Sequence, residues 1–104
     1  MSSPPPVSVV FHRLAADEYR RAHRWYTRRS AALARRFQEA ADRVVQAIAA
    51  APDSGAPFRG RYRWMRTHRF PHVIYYESTS PTQVRVLAVA HARRRLGYWR
   101  RRAP

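Results

Sequence analysis

The chain has 104 residues, a length that holds one domain whose single core buries roughly two-thirds of the surface the unfolded chain exposes. Its formal net charge is +15, from 21 basic residues, every one an arginine, against 6 acidic ones. Such an excess draws a protein to polyanions, so a nucleic acid or an acidic protein partner is expected, and a membrane surface is disfavoured because no stretch joins a basic face to a wide apolar one. There is no cysteine, which excludes disulfides, thiolate catalysis and thiolate-built metal sites and fits a reducing compartment. Arginine without lysine, together with abundant alanine, speaks of a GC-rich genome rather than of a function.

Met1-Ser2-Ser3-Pro4-Pro5-Pro6 lacks the basic start and apolar segment of a signal peptide, and no apolar run approaches the ~18 residues of a membrane span, so a cytoplasmic location is expected. Residues 1–6 read as a flexible tail, since three prolines suit neither helix nor sheet interior. Val7, Val9 and Phe11 then alternate onto one face of a short strand. From about Ala15 the spacing of Ala15, Tyr19, Ala22 and Tyr26, with Trp25 beside them, predicts a helix with an aromatic core face. Asp17 and Glu18 fall in its first turn and Arg28 and Arg29 in its last, as the helix dipole favours, and Asp17 is placed to pair with Arg21.

Ser30 is a natural cap for a second helix, in which Leu33, Phe37, Ala41, Val44 and Ile48 face inward and Arg35, Arg36, Glu39 and Arg43 outward. No glycine or proline separates the two helical stretches, but one unbroken helix of about 36 residues would run about 54 Å, too long for a domain of this size. Two antiparallel helices are therefore expected. Pro52 turns Ala51 away from helix, and Asp53-Ser54-Gly55-Ala56-Pro57 reads as a connecting turn.

Three strand-like runs follow: Tyr62 to Arg66, Val73 to Tyr76, and Val84 to Val89. The linkers Arg69-Phe70-Pro71 and Ser78 to Thr82 are short enough to join antiparallel neighbours. In the last strand Val84, Val86, Ala88 and Ala90 are expected on one face, and Arg85, Leu87, Val89 and His91 on the other. With one face against the helices, the second carries Leu87 and Val89 beside Arg85, a mixed surface suited to being covered by a partner. Trp64, Tyr75 and Tyr76 read as core.

The order strand, two helices, three strands, with Phe70-Pro71-His72-Val73-Ile74-Tyr75-Tyr76 and Val86-Leu87-Ala88-Val89-Ala90-His91-Ala92-Arg93-Arg94 in place, resembles the RelE/ParE family of toxins from bacterial type II toxin-antitoxin systems. The resemblance runs from about Val7 to Trp99, so residues 7–99 are read as one domain and 100–104 as a basic tail. It implies an α+β fold, β-α-α-β-β-β, with an antiparallel sheet packed on a two-helix hairpin. It also implies a growth-inhibitory toxin, of the kind that serves plasmid stabilisation, neutralised by a cognate acidic antitoxin.

Members like RelE cleave mRNA on the ribosome, whereas members like ParE inhibit DNA gyrase. The long first helix ending in Trp25-Tyr26 looks more like the ParE branch. Set against the RelE pattern, His72 replaces the arginine of the middle strand, lysines are absent, Arg93 matches the arginine after the last strand, and Tyr98 or Trp99 falls near the C-terminal tyrosine. Inhibition of gyrase is therefore the first reading, a ribosome-dependent endoribonuclease the second, and a basic nucleic-acid-binding domain without catalysis the third.

Metal-free RNA cleavage needs a base, an acid and cations for the developing phosphorane. His91 and His72 offer proton transfer, Arg61, Arg69 and Arg93 a cationic clamp, and Tyr98 the family tyrosine. Arg63, Arg66, Arg94, Arg95 and Trp99 are candidates for contact with the target or a nucleic acid, as guanidinium groups and a ring for phosphates and bases. Arg85, Leu87 and Val89 are the expected antitoxin ground. His12, His23 and His68 have no ligand spacing, and neither a metal nor a cofactor is expected.

Overall fold

A computed structural model describes residues 5–102 of the chain. Strand β1 (Ser8–Phe11) leads directly into helix α1 (Arg13–Arg29) and helix α2 (Ala31–Ala50). A 3-10 turn (Pro52–Ser54) is followed by β2 (Ala56–Phe58), β3 (Tyr62–Arg66), β4 (His72–Ser80) and β5 (Gln83–His91), and a last 3-10 turn covers Tyr98–Arg102. The strands form one sheet in the order β1-β5-β4-β3-β2. The fold is α+β as expected, with two differences in the sheet. It is mixed, because β1 runs parallel to β5, and it gains an edge strand, β2, where a turn was expected. Exposed Pro57 is tolerated there because an edge residue owes the sheet no amide hydrogen.

The helical hairpin turns at Ser30, whose extended backbone (φ −169°, ψ 130°) stops α1 and starts α2 in one residue. Its amide donates to the Tyr26 carbonyl and its hydroxyl accepts from the Leu33 amide at 3.2 Å, so one serine satisfies orphan groups of both helix ends. Helix α1 begins earlier than its apolar spacing suggests. His12 serves as its cap, Nδ1 accepting from the Leu14 amide at 3.1 Å, which puts Asp17 and Glu18 beyond the first turn. Asp17 pairs with Arg20 rather than Arg21.

Phe37, Ala41, Val44 and Ile48 are buried as expected, joined by Ala34 and Ala40, and Leu33 is half-buried. Their stripe meets Ile74, Tyr76, Val84, Val86 and Val89 on the sheet. At the hairpin end Phe70 meets Tyr26 and Phe37 edge on while those two rings are tilted on each other, with centroids 5.0–5.4 Å apart, a geometry that adds to burial. Trp25 is not part of this core; it lies 46% exposed.

A β-bulge decides which residues of β5 face the helices. Tyr75 pairs with Ala88 but Tyr76 with Val86, so Leu87 is the extra residue and the alternation changes phase there. Val84, Val86 and Val89 pack toward the helices, and Leu87, Ala88 and Ala90 toward the other side. This corrects the simple alternation. It also removes the proposed antitoxin ground from the surface: Leu87 is 0% and Val89 3% exposed, sealed on opposite faces, and only Arg85 of that trio is partly open.

The second face of the sheet is closed by the chain itself. Trp99 is wholly buried, its ring 4.8 Å from Tyr75, 4.9 Å from Tyr62 and 5.6 Å from Phe58. The placement of Trp99 as a target-binding ring is thus corrected: an indole so packed is unavailable for stacking on a base. Arg100 to Arg102 continue the 3-10 turn, so the basic tail read over 100–104 is partly a folded element; residues 103–104, like 1–4 of the N-terminal tail, lie outside the described residues.

Gly55 shows how tightly the first connection is fitted. Its amide donates to the Tyr76 hydroxyl at 3.0 Å, which in turn donates to the Pro52 carbonyl at 2.8 Å, and a Cβ on Gly55 would stand 2.3 Å from that hydroxyl oxygen. Gly55→Ala should therefore lower stability by about 1–3 kcal/mol, read as an earlier midpoint in urea unfolding with an unchanged slope.

Candidate functional site

Because β1 ends at Phe11, one edge of β5 loses its partner strand halfway along. The His12 amide makes the last bond of that pairing, to the Val86 carbonyl. Beyond it, side chains take over. The Val89 amide donates to Glu18 Oε1 at 3.0 Å, and the Leu87 carbonyl accepts from Arg102 Nη1 at 3.0 Å. Arg102 also grips Glu18, Nη1 to Oε1 at 2.8 Å and Nη2 to Oε2 at 3.2 Å, and the Tyr98 hydroxyl donates to Oε2. A buried carboxylate with this many donors is satisfied, and the fork of Arg102 fits it in two places.

This junction was not anticipated. By sequence Glu18 is a helix-dipole residue and Arg102 part of the tail. The available signal was position: Glu18 lies three residues after Ala15 and four before Ala22, on the inward stripe of α1, where an unpaired acid would be costly.

Beside the junction, α1 and the sheet end enclose a cleft of about 460 Å³. His72 opens β4 and His91 closes β5 as cross-strand partners, with ring centroids 5.5 Å apart. Ala22, Trp25 and Pro71 form apolar walls over buried Val89, and Arg21 and Arg94 belong to the same lining. The structure thus brings together His72, His91, Tyr98 and Arg94 from the residues singled out by sequence.

The chemistry open to these groups is narrow. Burial, reinforced by the neighbouring His91, lowers the pKa of His72 to about 4, so its imidazole is neutral near neutral pH. It packs against Phe37 and Tyr26, and its Nδ1 has no hydrogen-bond partner among the described residues. The Tyr98 phenol is pushed well above its ordinary value, first by burial and then by its bond to Glu18, so it holds its proton. Arg94 lies 4.0 Å over the Tyr98 ring. His91 is half-exposed, and its Nδ1 accepts from the Arg93 amide at 3.1 Å, which leaves Nε2 as its free nitrogen.

Other expected members stand elsewhere. Arg61 does not join the histidines: its Nε is 2.7 Å from Glu77 Oε2, and Glu77 is five residues along β4 from His72, about 17 Å at the rise of a strand. Arg63 is half-buried and donates to the Gly55 carbonyl at 2.9 Å, which makes it a tether between β3 and the first connection rather than a free cation. Arg69 sits exposed on the β3–β4 turn with a left-handed backbone (φ 67°), and Arg66 is exposed at the end of β3. Arg93 and Arg95 are exposed beyond β5.

A helical hairpin on a five-stranded mixed sheet, closed by a C-terminal turn, defines a RelE/ParE-like α+β protein. The family model described as the ParE toxin of type II toxin-antitoxin system, parDE, matches residues 9–96, and the chain belongs to that family. It is therefore a toxin of a type II toxin-antitoxin system, with an antitoxin as its implied partner. Comparison with individual curated proteins finds no match. No helix among the described residues is long and apolar enough to cross a membrane.

Two outcomes follow from this geometry. Replacing Glu18 by alanine leaves Arg102 without its counter-ion and the Val89 amide without its acceptor, at a cost of about 3–5 kcal/mol, measured by equilibrium unfolding. For His72, a folded pKa of about 4 below the ordinary 6.5 means that protonation favours the unfolded chain. Stability is fully present above pH 6.5, and each unit of acidification from there toward 4 removes up to about 1.4 kcal/mol. An NMR titration should show the His72 ring still neutral at pH 5, and His72→Phe should flatten this part of the stability profile.

Proposed function

We propose that the protein inhibits growth by gripping DNA gyrase, without cutting RNA, and that an acidic antitoxin holds it inactive in the cytoplasm. One observation carries the reading. Three of the six groups a metal-free nuclease would draw on are committed elsewhere: the Tyr98 hydroxyl to Glu18, Arg61 to Glu77, and His72 to an apolar pocket that keeps it uncharged, which leaves His91, Arg69 and Arg93 without a second proton-transfer partner. A general acid works best with a pKa near the working pH, and Tyr98 is driven away from it.

What remains at the sheet end suits binding. Apolar walls at Ala22, Trp25 and Pro71, flanked by Arg21 and Arg94, fit an apolar side chain carried on an acidic segment. This cleft replaces the buried Leu87 and Val89 as the place for an antitoxin to anchor. Arg93, Arg95 and Arg66, exposed around the same end, add attraction for an acidic partner.

The test is a supercoiling assay with purified gyrase, together with induction in cells. Inhibited supercoiling and an SOS response are expected. The double variant His91→Ala/Arg93→Ala should keep its inhibitory potency within about threefold, under ~1 kcal/mol. Rapid loss of translation with mRNA cut inside reading frames, abolished in that variant, would overturn the reading in favour of the ribosome-dependent endoribonuclease. Growth untouched by induction would leave a nucleic-acid-binding domain. Co-expression of a small acidic protein encoded beside this chain should restore growth.

A further inference from the structure

A second concave surface lies on the C-terminal turn and shares Tyr98 with the histidine cleft. Arg59, from the turn between β2 and β3, meets Arg95, Arg100 and Arg101 around a groove of about 560 Å³ that also includes Tyr62, Leu96, Gly97 and Tyr98. All four arginines are exposed, no acidic residue lines the groove, and none of the three ion pairs among the described residues includes any of the four. Gly97 brings two of them together. At its positive φ of 75°, a Cβ would lie 2.9 Å from Arg100 Cδ and 3.4 Å from an Arg59 guanidinium nitrogen. The Arg59 guanidinium and the aliphatic stem of Arg100, from segments some forty residues apart, thus meet over one glycine in a groove that gathers four arginines and no acidic side chain, an arrangement that favours an anion.

We infer that this groove binds the phosphodiester backbone of DNA. Guanidinium forks match phosphate oxygens two at a time, and several in a row match the repeat of a strand. An acidic protein segment fits less well, because a protein interface needs an apolar centre and here the one large exposed apolar side chain is Leu96. The inference deepens the gyrase reading, since gyrase holds a DNA segment, and it rests on that reading only for where the DNA comes from.

The experiment therefore omits gyrase. Binding of the purified protein to a fluorescent DNA duplex is followed by anisotropy over a salt series. Arg59→Gln/Arg100→Gln/Arg101→Gln is compared with Arg35→Gln/Arg36→Gln/Arg43→Gln on the exposed face of α2, an equal loss of charge. The groove variant should bind about tenfold or more weakly, with a salt slope shallower by roughly 3, and the helix variant should lose much less. In the unaltered protein, DNA should protect Arg59 and Arg100 from phenylglyoxal, read by mass spectrometry.

Equal losses in the two variants, or no protection, would overturn the inference in favour of attraction by overall charge. A groove variant that loses a glutamate-rich peptide but keeps DNA would overturn it in favour of an acidic protein. Failure of the protein to inhibit gyrase would leave these measurements, and the inference, unaffected.

Discussion

The structure depends on the way one buried carboxylate finishes a strand edge. β1 is four residues long and β5 nine, so the edge of β5 would otherwise present bare backbone groups where α1 crosses it. Glu18 supplies the missing acceptor and Arg102 the missing donor, and the two are themselves a pair. The same contact fixes the C-terminal turn, because Tyr98 and Arg102 both end on Glu18. Helix, strand and terminus are therefore held by a single set of hydrogen bonds. Its strength comes from exclusion of water, with side-chain exposures of only 14% for Arg102 and 8% for Glu18.

That anchor decides what the rest of the surface can be. With the turn held down, Trp99 fills the outer face of the sheet and the apolar residues Leu87, Tyr75 and Ala88 are covered from within. The groups left for partners are then the histidine cleft under α1 and the arginines that the turn carries outward. Arg100 and Arg101 are exposed on the same short turn whose Trp99 is buried and whose Arg102 is partly buried, so one element both seals the core and displays charge.

The large positive charge is consistent with this division. Self-repulsion among exposed arginines is tolerable while water and salt screen it, but the four arginines gathered around the groove at Gly97 are a local concentration of the same cost. A binding partner with negative charge relieves it. Of the six acids, Glu18 and Glu77 are used inside the fold, against Arg102 and Arg61, and only Asp17, Glu39, Asp42 and Asp53 are left to balance the surface.

Local pattern determined much of this protein. The helix faces of Phe37, Val44 and Ile48, the cap at Ser30 and the hairpin-linked strands follow from spacing and turn chemistry that act between neighbours in the chain, and together they sufficed to place it among the RelE/ParE-like toxins. Tertiary structure alone decided the remainder. The bulge at Leu87 shifted Val89 and His91 to the helix side, which no alternation rule foresees because the inserted residue looks like any other apolar one. Glu18 and Arg102 are 84 residues apart, and Arg59 and Arg100 belong to different turns, so their partnerships exist only once the sheet has brought distant segments together. A pattern read along the chain reports which face a residue occupies; what stands opposite it is set by long-range packing, and that is where the functional surfaces of this molecule are made.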